Sequence, residues 1–175
     1  MRRSEDPDQL PPPITLRCTG NVLKLLRIPP AQLHSAPAAA QDWYANLLWL
    51  DRRKCLLVTH AATLFSVFLP DVRAAGLRPI GAAVVPAVRT ALAAEALPAD
   101  TFGPLNAVTL AKTADRQVLA VMRDLAVLCQ AAVADAGGLA RVDLAGLHHA
   151  VQRNPSRARG YETAIDLVRR QLGEP

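Results

Sequence analysis

Three groups of residues are of types that can do chemistry. Cys18-Thr19-Gly20-Asn21 combines a thiol, a hydroxyl, a glycine and an amide at a strand-to-helix turn. A Cys beside a helix N-terminus can lose its proton early and act as a nucleophile. A single Gly falls far short of a phosphate loop, however, and no general base stands at a telling distance. Packing of Cys18 as a small apolar residue, with Thr19 or Asn21 capping the next helix, is the preferred reading. The histidines are His34, His60, His148 and His149. Zinc needs three or four converging ligands, and adjacent histidines on a helix point about 100° apart, so no metal site and no cofactor is expected. Asp51, Asp115 and Asp124 read as a turn residue, a helix cap and an exposed helix position. None of this forms a catalytic constellation, and the chain reads more readily as a binding protein than as an enzyme.

Two further sets concern binding. Arg52-Arg53-Lys54 at a hairpin turn and Arg157 and Arg159 in a late loop are candidate nucleic-acid contacts, with Arg153 and Arg169-Arg170 nearby in sequence. The chain carries a net charge of +5, and only three of its 20 basic residues are Lys. Arg grips phosphate in a fork. An Ala- and Arg-rich, Lys-poor composition equally reflects a GC-rich genome, and that reading is preferred because net charge specifies a partner weakly. The second set is polar residues set in or beside apolar elements: Arg17, Asn46, Thr63, Thr113 and Arg116, with Cys18 among them. Buried polar groups need partners, so these either brace the sheet or line a ligand pocket. They are the favoured ligand-binding set.

The elements that position these residues follow from periodicity. Ile14–Thr19 alternates as a strand, and a short helix runs over Val22–Ile28 until Pro29-Pro30 stops it. Residues 29–41 form a Pro/Ala-rich connector. Trp43–Leu50 is apolar on both faces, as in a central strand. Arg fits the positive φ of tight hairpin turns poorly, so Asp51–Lys54 is expected to be a four-residue loop. Strands over Cys55–Thr59 and Leu64–Leu69 follow, then a helix over Ile80–Leu97 that Pro86 kinks or starts, and a strand over Ala107–Lys112. Asp115 caps the best helix, Arg116–Asp135, which ends at Gly137-Gly138. Two shorter helices, Asp143–Arg153 and Tyr161–Gln171, close the chain. The class is α+β: a small, mainly antiparallel sheet with helices packed on one side and a helical C-terminal part.

Residues 1–13 read as a disordered tail and 14–172 as a single domain. The three cysteines, Cys18, Cys55 and Cys129, are far apart and odd in number. That usage fits a reducing cytosol. The N-terminus lacks an apolar signal region, and the longest uncharged run, Cys55–Pro70, is shorter than the roughly 20 residues a span needs. A cytoplasmic protein without membrane association is expected; a protein partner and nucleic acid both stay open.

Arg17-Cys18-Thr19, Trp43-Tyr44-Ala45-Asn46-Leu47, Arg52-Arg53-Lys54-Cys55-Leu56-Leu57 and Thr63-Leu64-Phe65-Ser66 occur in an order that resembles a family of small uncharacterised bacterial proteins, a domain of unknown function. Lys112-Thr113, Arg116, Met122, Asp124, Asn154-Pro155 and Tyr161 extend the likeness to about residue 170. The chain departs from that family in having no Asn at Thr59 or His60, and Arg123 where the family has Asn; residues 29–41 look inserted. The resemblance implies a domain but no activity. The reading it leaves first is a non-enzymatic module acting through a protein partner. A nucleic-acid-binding accessory protein comes second and an enzyme with a Cys nucleophile third.

Overall fold

The computed structural model describes residues 13–174, so the tail expected over residues 1–13 lies outside the described residues except for Pro13. Five strands form one sheet: β1 (Ile14–Cys18), β2 (Trp43–Leu50), β3 (Arg53–His60), β4 (Ser66–Leu69) and β5 (Val108–Lys112), in the order β4-β3-β2-β1-β5. The β2–β3 and β3–β4 ladders are antiparallel. The shorter ladders of β1 with β2 and with β5 are parallel. Parallel pairing requires a crossover, and the chain supplies it with α1 (Gly20–Leu26) and the connector that follows. The remaining helices are α2 (Ile80–Ala94), α3 (Arg116–Asp135), α4 (Leu144–Gln152) and α5 (Ala164–Gln171). The α+β class, the mainly antiparallel sheet and the helical C-terminal part are as the sequence indicates.

Helices cover both faces of the sheet rather than one. Leu16, Trp43, Leu56 and Val67 pack against α1 and α2 on the first face. Tyr44, Leu48, Leu57 and Phe68 pack against α3 and α4 on the second. The cause is in the strands. Cys55, Leu56, Leu57 and Val58 are all fully buried, so β3 has no polar side to turn to water. On length and composition alone α3 could cross a membrane. It is a core helix here: Val118, Met122, Leu125 and Cys129 are buried against the sheet, and Arg116, Arg123 and Asp124 face out.

The hairpin turn has two residues, not four. Leu50 pairs with Arg53, and Asp51 and Arg52 take φ of 49° and 61°. This positive-φ turn is what a twisted two-strand ribbon prefers. Asp51 tolerates it because its carboxylate is held from outside, accepting the Leu139 N–H at 2.9 Å. Pro86 lies within a continuous α2. The last helix begins at Ala164, three residues later than Tyr161, where Thr163 and Asp166 form a capping box.

The two sheet edges are treated differently. At β4, Gln152 of α4 accepts the Ser66 N–H and donates to the Ser66 carbonyl, and His148 Nε2 lies 3.0 Å from both the N–H and the carbonyl oxygen of Phe68. Two side chains one helical turn apart thus close that edge. At β5, Ile14 N–H donates to Ala107 and His34 N–H donates to Leu110. Odd-numbered residues of β5 therefore face β1 and even-numbered ones face outward. His34 occupies the edge at Leu110, and among the described residues no strand lies beside the outward backbone groups of Val108.

Candidate functional site

The six residues favoured for ligand binding separate into two groups. Arg17 is buried, and its guanidinium donates to the Asp42 carboxylate at 2.5 Å and to the carbonyls of Ala36, Pro37 and Lys112. It fastens the 29–41 connector to the sheet and has no donor directed at a ligand. Cys18 faces the first core layer, and burial pushes its thiol up to about 12, which makes it a poor nucleophile. Thr63 is buried with its hydroxyl 2.9 Å from His60 Nδ1. Thr113 is half-buried between β5 and α3. Only Asn46 and Arg116 meet at one cavity.

That cavity is a crevice of about 440 Å³ lined by Thr19, Asn46, Arg116, Leu119 and Arg123. It lies at the carboxyl end of β1, where β2 runs on past its neighbour: Cys18 pairs with Ala45, and Thr19 N–H closes the ladder on the Ala45 carbonyl. Thr19 Oγ1 donates to Asn46 Oδ1 at 3.2 Å, leaving the Asn46 amide nitrogen as the donor. Arg116 and Arg123 are seven residues apart on α3, so they share a face about 10 Å apart along the axis. Arg116 follows the cap Asp115, whose carboxylate accepts from Gln117 N–H and Val118 N–H while its own N–H donates to Tyr44 Oη. Sequence reasoning missed Thr19 and Arg123 as partners of this pair. The 116/123 spacing on the polar side of α3 was the available signal.

The basic residues do not form one surface. Arg52 lies in the hairpin turn and Arg53 and Lys54 open β3, where Arg53 pairs with Asp71 at 3.0 Å and Lys54 Nζ lies 5.2 Å over the Trp49 ring. Arg159 donates to the Ala61 carbonyl, just past the other end of β3. Eight strand residues put about 23 Å between them. Arg153 makes a two-pronged pair with Glu95, and Arg170 pairs with Glu162. Among the described residues, no three His, Cys, Asp or Glu gather in a way that could hold a metal.

A further concavity is apolar. A groove of about 810 Å³ runs between α2 and β5, floored by Leu26, Ile80, Val85, Leu105 and Val108. Among the described residues its only charged lining residues are Arg78 and Arg89, which reach the carbonyls of Leu25 and Leu105 from exposed positions. A second groove of about 600 Å³ lies on the other flank of α2, over Phe68, Val72, Leu77 and Ala83. Between them stands a ridge of exposed Ala82, Pro86 and Ala93. Gly81 is required where α2 meets the sheet: a Cβ there would lie 2.9 Å from Val108 Cγ2.

Neither a curated protein nor a solved structure matches the chain. A family model, described as a domain of unknown function (DUF6933), matches residues 15–167. That range takes in all five strands almost entire, both arginines of the crevice and both walls of the apolar groove, and the chain belongs to this family.

Proposed function

We propose that the chain is a non-enzymatic binding module of the bacterial cytosol, and that it acts by holding a partner protein on the surface around α2. The carrying observation is the apolar groove between α2 and β5, continued across the Ala82–Pro86 ridge into the second groove. One charge, Arg89, occurs in the 15 residues of α2. A two-sided apolar surface of this extent suits a polypeptide better than a small molecule, which a single pocket would enclose. Among the described residues the first groove is lined by two arginines and no carboxylate, so charge complementarity favours an apolar segment bearing one or two carboxylates. The Val108 backbone groups beside it, which have no partner among the described residues, offer that segment hydrogen bonds. The cytosolic setting rests on three buried, unpaired cysteines.

The test is a photo-crosslinking residue at Ala82, used in the producing bacterium, with a matched probe at exposed Val127 on α3. The expected product is a discrete crosslinked species from Ala82 and not from Val127. It should weaken at least tenfold in Val85→Asp and in Arg78→Glu/Arg89→Glu, variants whose folding is checked by thermal melting, because each places negative charge against an acidic, apolar segment. Equal crosslinking from both probes, or a product indifferent to all three substitutions in folded protein, overturns the reading.

A further inference from the structure

The crevice at Thr19, Asn46, Arg116 and Arg123 lies on the α3 side of the sheet, away from the groove, and it has a different chemistry. We infer that it binds a small phosphorylated molecule through its phosphate. Three independent features lead there.

The first is the donor set. Both guanidinium groups are exposed, and neither is engaged by a carboxylate among the described residues. This contrasts with Arg17, Arg53, Arg153 and Arg170, each of which is paired. Among the described residues no acidic side chain lines the cavity. The Thr19 hydroxyl fixes Asn46 Oδ1, so the amide presents N–H groups. Hence every charged or amide group that can turn into the space is a donor, which suits a tri-oxygen anion.

The second is the spacing. Two arginines whose backbones are about 10 Å apart along one helix face, with Leu119 between them, carry side chains long enough to fork the same group from both sides. Leu119 gives the remainder of the ligand an apolar surface, and a cavity of about 440 Å³ exceeds what one inorganic anion fills.

The third is position in the sheet. β1 leads into α1 on the first face, and β5, its other neighbour, leads into α3 on the second. The carboxyl ends of β1 and β5 therefore form a switch point where successive helices part to opposite faces. A crevice of this kind is where open parallel strands place ligands.

The experiment is a titration of the full chain followed by two-dimensional amide NMR. The probes are inorganic phosphate, succinate, adenosine and adenosine 5′-monophosphate, at matched ionic strength. Phosphate should produce saturable shifts at Thr19, Asn46 and the first two turns of α3, and the monophosphate should bind more tightly than phosphate. Adenosine alone should leave these amides in place. Arg116→Gln/Arg123→Gln should weaken phosphate at least tenfold, and Asn46→Asp should act in the same direction. Arg52→Gln/Arg53→Gln should leave binding unchanged. The amide spectrum of each variant reports its folding directly. Shifts that never saturate, that spread over the basic surface, or that survive the Arg116/Arg123 double substitution overturn the site. Tighter binding of succinate than of phosphate overturns the phosphate assignment. A failed crosslink at Ala82 would leave the crevice untouched, since the two surfaces share no residue.

Discussion

His60 shows how burial alone converts a chemically capable residue into a structural one. The ring lies in the first core layer against Trp43 and Phe102, with centroids 5.0 and 4.5 Å away, and Nδ1 meets Thr63 Oγ1. Burial pushes its pKa from 6.5 down to about 4, and the nearby Asp42 charge offsets only part of that. The unfolded chain therefore binds a proton between pH 6.5 and 4 that the folded chain refuses. Stability from this source is complete above pH 6.5 and is lost as pH falls toward 4, to a total of about 3 kcal/mol. Thermal melting across that window should show the loss. His60→Asn keeps a polar neighbour for Thr63 without the titration, and should flatten the curve above pH 4.5, where ordinary carboxylates are still ionised. An equally steep fall in His60→Asn would assign the acid sensitivity elsewhere. The same burial governs Cys18 and Cys129, both raised to about 12, so neither thiol is poised for nucleophilic attack.

At the level of elements, α4 is the piece whose purpose was hidden. Gln152 is fully buried and serves both backbone groups of Ser66, so it substitutes for a sixth strand at the β4 edge. Gln152→Leu keeps the volume and orphans a buried N–H and a buried carbonyl. That should destabilise the fold by about 2–5 kcal/mol, roughly one penalty per group, and lower the melting midpoint by several degrees. A change under about 0.5 kcal/mol would mean that water replaces the amide without loss. The sequence carried no sign of this role. His148 and Gln152 share a helix face, but nothing local says that the face looks onto a strand edge. Elements fixed by local rules were legible: β2 by apolar residues on both of its faces, α3 by the Asp115 cap and the Gly137-Gly138 stop. Those decided by partners were not. The two-residue turn at Asp51-Arg52 depends on Leu139, 88 residues away in sequence. The parallel place of β1 between β2 and β5 depends on long-range pairing. For the crevice, Asn46 and Arg116 could be singled out as polar residues beside apolar elements. Thr19 and Arg123 join them only once β1 and α3 are brought together.

At the scale of the whole molecule, the distribution of charge matters more than its sum. A net +5 suggests a polyanion partner only if the cations share a surface. Among the described residues they are scattered, with small groups at the hairpin turn, the Arg157/Arg159 loop beyond the far end of β3, the α3 crevice and the groove beside α2, and several are already paired with carboxylates. A straight duplex laid on any one of these would meet about two or three free cations. Salt dependence is the direct readout, because each neutralised phosphate adds about 0.9 to the slope of log affinity against log salt. Fluorescence anisotropy with a DNA duplex should therefore show weak binding that falls by no more than about 50-fold between 50 and 200 mM salt. Arg52→Ala/Arg53→Ala should remove only part of even that. A fall of a thousandfold or more would require six or more phosphate contacts at once. That result would mean that the separated basic groups are gathered onto one polyanion by bending of the nucleic acid or by assembly of several chains, and it would displace the protein-partner reading.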